Sequence, residues 1–178
     1  MTRYIAFLRA INVGGHIVKM DELRGIFTGL GFSHAETFIA SGNVIFESSA
    51  KDSKALEKKI AAQLYKSLGF EVATFIRTDS ELTRIAAYQA FPQSQIDAAA
   101  AFNIAFLSNA LDDSAQKKLM SLTTDIDSFA THEREVYWLC QKKQSESKFS
   151  NAVLEKTLGV QSTLRGINTI RKMAEKVK

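Results

Sequence analysis

Three times in this chain a helical pattern runs into a glycine followed at once by an apolar residue: Gly31-Phe32, Gly69-Phe70 and Gly159-Val160. Glycine accepts the left-handed conformation that closes a helix, and the next apolar side chain folds back on the last turn. Each pair therefore fixes a helix end. Upstream of the first, Leu23, Ile26, Phe27 and Leu30 recur at helical spacing, and upstream of the second Leu56, Ile60, Leu64 and Leu68 do so. Helices are expected over 20–30, 53–68 and 149–158.

The segments between these helices read as strands. Residues 4–11 are apolar except for Arg9, which suits a central strand buried on both faces. Strict alternation sets Ala6, Leu8 and Ala10 on one face and Ile5, Phe7, Arg9 and Ile11 on the other. Residues 37–40 and 44–47, joined by Ser41-Gly42-Asn43, read as a strand hairpin or as one strand with a glycine bulge, and 71–76 as a further strand. Thr78-Asp79-Ser80-Glu81 has the form of a capping box opening a further helix that ends near Pro92, the only proline. Gln93-Ser94-Gln95 then reads as a linker. The second half repeats the order: a strand over 101–107, a helix over 113–122 capped by Asp112 or Asp113, strands over 125–130 and 134–140, a polar loop over 141–147, the 149–158 helix and a short edge strand over 162–165. Asn168 reads as the N-cap of a last helix. Strand-helix-strand-strand-helix-strand is the ferredoxin-like unit. The expected class is α+β, two such units with antiparallel sheets and helices on one face, divided as 1–92 and 93–178.

Hydrophobic residues make up 46% and charged residues 24% of the chain, ordinary for a globular protein with a substantial core. No run approaches the roughly 20 apolar residues of a membrane span, and the opening strand carries no signal-peptide pattern. No membrane partner and a cytoplasmic location are the expectations. The single Cys140 leaves no internal disulfide and no cysteine-based metal cluster. The net charge of +4 is unevenly spread: residues 91–141 hold three basic and seven acidic residues, residues 142–178 nine basic and three acidic. That basic stretch suits either nucleic acid or a solvated helix surface.

Established catalytic signatures are missing. Gly29-Leu30-Gly31 begins like a dinucleotide fingerprint, but Phe32-Ser33-His34 lacks the third glycine. His132-Glu133 lacks the second histidine of a helical zinc site, and His16, His34 and His132 have no ligand spacing. Ser-x-x-Lys occurs at Ser48/Lys51, Ser114/Lys117 and Ser145/Lys148 without its companion motifs. No cofactor and no metal are expected. The residues left over are Arg9 near the C-terminal end of the first strand and Asn12, Gly14 and Gly15 just after it, with Ser41, Gly42 and Asn43 at the neighbouring corner. Two glycines at positive φ can turn successive N–H groups toward an anion, and Arg9 can add a bidentate positive charge. The plainer reading is a turn, a hairpin, and an Arg9 paired with Glu36 or Glu47. Lys148, Arg165, Asn168 and Thr169 are secondary polar candidates.

Phe7-Leu8-Arg9-Ala10-Ile11-Asn12-Val13-Gly14-Gly15, Met20-Asp21-Glu22-Leu23-Arg24, Leu30-Gly31-Phe32 and Ser41-Gly42-Asn43-Val44-Ile45-Phe46 together resemble the domain-of-unknown-function 1697 family. Tyr137-Trp138-Leu139, Lys148-Phe149-Ser150-Asn151 and Leu154-Glu155-Lys156-Thr157-Leu158-Gly159 resemble its later blocks. The family opening has glycine where this chain has Ala10. Its closing Arg-Asn-Trp-Asn-Thr is here Arg165-Gly166-Ile167-Asn168-Thr169. The resemblance implies the duplicated α+β fold and brings no established activity. The expected function is binding of an anionic small molecule or nucleotide at the Arg9 corner. The alternatives are a nucleic-acid-binding module or a protein-interaction module, with the oligomeric state open.

Overall fold

A computed structural model of the chain describes residues 1–39 and 42–178. The first half contains β1 (Thr2–Leu8), α1 (Met20–Gly29), β2 (Ser33–Thr37), β3 (Asn43–Ser48), α2 (Ser53–Leu68) and β4 (Thr74–Thr78). Helices α3 (Asp79–Ala87) and α4 (Gln93–Ala98) follow. The second half contains β5 (Ala101–Phe106), α5 (Asp113–Met120), β6 (Asp127–His132), β7 (Glu135–Cys140), α6 (Asn151–Leu158), β8 (Thr163–Gly166) and α7 (Ile167–Lys176). The sheets run β2-β3-β1-β4 and β6-β7-β5-β8, every neighbour antiparallel. Each is a ferredoxin-like βαββαβ unit. The first compact unit comprises Met1–Thr83 with Met173–Lys178, the second Arg84–Lys172.

In the first unit Tyr4, Ala6, Leu8, Val44, Phe46 and Ile76 pack on Leu23, Phe27, Leu56, Ile60 and Leu64 of the helices. In the second, Ala105, Val136, Trp138 and Cys140 pack with Leu119 and Leu154. The opposite sheet faces are buried as well, at Ile5, Phe7, Ile45 and Phe75 and at Ile104, Phe106, Tyr137 and Leu139. That is why the central strands read as continuous apolar runs rather than alternating ones.

The helix stops are as expected: Gly31, Gly69 and Gly159 have φ of 85°, 81° and 65°. Phe32 and Phe70 lie on the first core and Val160 on the second. Asp52 and Ser150 cap α2 and α6 through backbone N–H groups of their first turns, and Asp112 caps α5. The capping box of α3 is reciprocal, Thr78 N–H donating to Glu81 Oε2 at 2.8 Å and Glu81 N–H to Thr78 Oγ1 at 3.1 Å.

Four expectations need correction. Gln93-Ser94-Gln95 is the first turn of α4, opened by Pro92 at φ −55°, and α3 ends at Ala87, well short of Pro92. β2 lies earlier than 37–40: its register slips between Ser33 and Glu36, and His34 takes φ 51°, so no alternating pattern shows in the sequence. Asn168 is an exposed residue inside the first turn of α7 rather than its cap, since Ile167 already belongs to the helix directly after β8. Ile11 joins the core of Tyr4, Ala6 and Leu8, not the face of Phe7. The left-handed Ala10, φ 59°, ends the alternation before it.

Candidate functional site

The two glycine-bearing segments meet. Phe7 is the register partner of Asn43, and Leu8 N–H donates to Gly42 O at 2.8 Å. A Cβ added at Gly42 would stand 3.0 Å from Ile11 Cβ and 3.1 Å from Leu8 O, so only glycine allows this approach. Asn43 is buried and its side-chain amide donates to Phe38 O at 3.0 Å, while Phe38 N–H donates to Asn43 O at 2.9 Å. Both ends of the corner are thereby tied together. Ala40 and Ser41, the latter a candidate residue, lie outside the described residues.

Beyond β1 the chain makes a closed loop. Arg9 N–H donates to Ala73 O at 2.9 Å, tying the start of the loop to the approach to β4. Gly14 and Gly15 have φ of 61° and 86°, and His16 N–H donates to Val13 O at 3.2 Å, the pattern of a type I′ turn. Asn12 holds that turn from both sides. Its N–H donates to His16 O at 2.9 Å and its Oδ1 accepts from Val18 N–H at 2.8 Å. Asparagine tolerates the left-handed φ of 60° that this requires. The His16 ring lies 4.1 Å from that of Phe70. Around Gly14 and Gly15 the space is open, with nothing within 4 Å of an added Cβ. Neither glycine amide has a hydrogen-bond partner among the described residues.

The carboxylates considered for Arg9 are committed elsewhere: Glu47 pairs with Arg3 at 3.2 Å and Glu36 with Lys176 at 3.3 Å. Arg9 is half-buried at the end of β1. Ala10, Asn12 and Ile39 are three of the five non-glycine residues at positive φ among those described. The strain at Ala10 sits where the resembled family carries glycine. Ala10→Gly is accordingly expected to raise stability by about 1 kcal/mol, the cost of a left-handed L-residue; a chemical-denaturation midpoint that falls instead would contradict this.

The secondary candidates occupy separate elements of the second unit. Arg165 on β8 is buried, donates to Thr163 Oγ1 at 2.6 Å and Leu164 O at 2.8 Å, and burial pushes its pKa down to about 10. Asn168 and Thr169 stand in the first turn of α7. Lys148 lines a depression of about 250 Å³ with Thr124, Asp127 and Phe149.

Asp127 is the residue the sequence reading passed over. Its buried carboxylate accepts from Trp138 Nε1 at 2.9 Å, Ser147 Oγ at 2.8 Å and Thr124 Oγ1 at 2.7 Å. Burial pushes its pKa up, but these donors together outweigh burial and hold it below the ordinary value. The signal was the lone Trp138, whose N–H needs an acceptor once buried. Phe149 stacks edge-on against Trp138 and Phe129, 4.7 Å from each. Asn151, Glu155 and Ser162 form a second knot, Asn151 Nδ2 donating to Ser162 O at 2.8 Å and Ser162 N–H to Glu155 Oε2 at 3.2 Å. The later sequence blocks thus hold the second unit together. Burial also pushes the Cys140 thiol above its ordinary pKa, which leaves it a poor nucleophile.

Among the described residues no group of three or more His, Cys, Asp or Glu is placed to hold a metal ion, and no helix is long and apolar enough to cross a membrane.

A duplicated ferredoxin-like α+β protein with strained loops beside its first strand is the class these features define. The chain belongs to the family described as protein of unknown function (DUF1697), whose model matches residues 1–137. Its structure is similar to that of the conserved bacterial protein SP0830 from Streptococcus pneumoniae, with a TM-score of 0.80 at 24% identity over 99% of each chain. That likeness concerns the fold. A comparison with curated proteins gives no match.

Proposed function

We propose that the corner after β1 binds a small anionic ligand, a phosphorylated molecule or a nucleotide. The observation that supports this reading is the pair of open glycine amides in a turn held rigid from outside. Gly14 and Gly15 offer N–H groups without partners among the described residues, and Arg9 adds positive charge at the foot of the same loop. Asn12, Gly42 and Asn43 are positioning residues, since they bond to backbone: Asn12 within the turn, Gly42 and Asn43 at the corner against β1. Ser41 is a further donor candidate by sequence. Preorganised amides of this kind favour an anion because no reorganisation is needed when it arrives.

Calorimetric titration of the chain with ADP and with inorganic phosphate at low salt tests the reading. Saturable binding is expected, weakened at least about tenfold by Arg9→Ala through loss of a charge-assisted hydrogen bond of about 1.5–3 kcal/mol. Affinities unchanged in both Arg9→Ala and Gly15→Val would remove the proposal.

The exposed apolar side chains of the same loops favour a second reading, a protein-interaction surface. Val13, Ile17 and Ile39 are 59%, 84% and 51% exposed. For the nucleic-acid reading the basic stretch offers less than its count, because Arg165 is buried and Lys176 is paired with Glu36.

A further inference from the structure

The first unit carries a groove of about 600 Å³ on the sheet face turned away from α1 and α2. A volume of this size suits a small molecule. Its lining is contributed by β1, β2 and β3 together with Lys176 and Val177. Register explains the arrangement: Arg3 lies opposite Glu47, and Glu36 opposite the buried Ile45, so all four share that face. The irregularity in β2 adds His34, held at φ 51° with its side chain 78% exposed. A slipped register of this kind re-aims a side chain.

The charges form two pairs. Arg3 Nη2 meets Glu47 Oε1 at 3.2 Å while its Nη1 donates to Val177 O at 3.2 Å. Lys176 Nζ meets Glu36 Oε2 at 3.3 Å. His34 Nε2 stands 4.0 Å from Glu47 Oε2. Both cations and both carboxylates remain partly open to solvent. Exposed pairs of this kind are worth only about 0–1 kcal/mol each, so exchanging protein partners for ligand partners costs little. A simple anion would meet Glu36 and Glu47, and a simple cation Arg3 and Lys176. The lining matches a molecule that carries both signs at once.

We propose that this groove binds a zwitterionic ligand, a free α-amino acid. Its carboxylate lies against Arg3 and Lys176, the guanidinium offering a planar fork. Its ammonium lies against Glu36 and Glu47, and its side chain rests on Ile45 and Ala35. This site is distinct from the Arg9 corner and does not depend on anion binding there.

The test is amide-resolved NMR titration of the full chain with leucine, lysine and glutamate, each compared with its N-acetyl and carboxamide derivatives. The expected result is saturable shifts in β2 and β3 for at least one free amino acid, with both blocked derivatives weakened at least tenfold. Glu47→Gln should weaken binding similarly. Glu36→Gln is the second variant, because among the described residues its carboxylate meets only Lys176. Arg9→Ala should leave the titration unchanged, which separates this site from the anion corner. No saturable shift up to about 10 mM, far weaker than a specific contact set would give, overturns the proposal. So does equal binding of the blocked derivatives.

Discussion

Replacing Asp127 by alanine is expected to lower stability by about 3–5 kcal/mol, the cost of stripping an acceptor from a buried, charge-assisted network. Trp138 is fully buried and its Nε1–H has Asp127 Oδ1 as acceptor at 2.9 Å. Ser147 and Thr124 lose the same partner, and Ser147 Oγ also receives Phe149 N–H at 3.0 Å, so the damage reaches the loop before α6. Asp127→Asn keeps an oxygen for Trp138 and should cost about 1–2 kcal/mol, the value of trading charged for neutral hydrogen bonds. Thermal melts at neutral pH would check both, and an alanine variant melting with the parent would show the network to be idle. The sign of the pH dependence follows from the same contacts. A carboxyl held below its ordinary value stabilises the fold above the unfolded-state pKa, near 3.8. That stability is lost as pH falls through the lower folded-state value. The gap between parent and Asp127→Asn should therefore shrink in urea titrations under acid conditions.

Gly42→Ala should be the second most damaging change, at about 2–4 kcal/mol. Part is the left-handed backbone, φ 78°, worth about 1–2 kcal/mol for an L-residue. The rest is contact. The new methyl would press on Ile11 Cβ at 3.0 Å, Leu8 O at 3.1 Å and Leu8 Cβ at 3.2 Å, two of them in or next to the main chain of a packed strand end. Gly15→Ala supplies the comparison, since it has a similar φ of 86° but open space around it. Denaturation midpoints of the two variants should differ by about 1–3 kcal/mol, the overpacking share alone. Equal midpoints would mean that the two segments do not press on each other as described.

Much of the fold could be read from local chemistry, because caps and stops are local. Asp52, Thr78, Asp112 and Ser150 begin helices, and Gly69 and Gly159 end them, each using groups within a turn of itself. The irregular places were hidden for the same reason. His34 and Ala10 depart from the regular backbone at positions where the residue type does not announce it. Site residues divided similarly. Gly14, Gly15 and Asn12 lie in one stretch and were visible together. Arg3, Glu36, Glu47 and Lys176 come from four elements, and only strand register brings the first three to a common face. Asp127 was invisible because its meaning depends on Trp138 across the ladder.

The return of residues 173–178 to the first unit has a consequence for biosynthesis. Met173, Ala174 and Val177 are buried, and Arg3 holds Val177. A ribosome delivers these residues only after the whole of the second unit has emerged. The first sheet can assemble early during translation, but the wall supplied by Lys176 and Val177 arrives last. The nascent first unit thus leaves Glu36 without Lys176, and Arg3 without the Val177 carbonyl, until synthesis has passed through everything between.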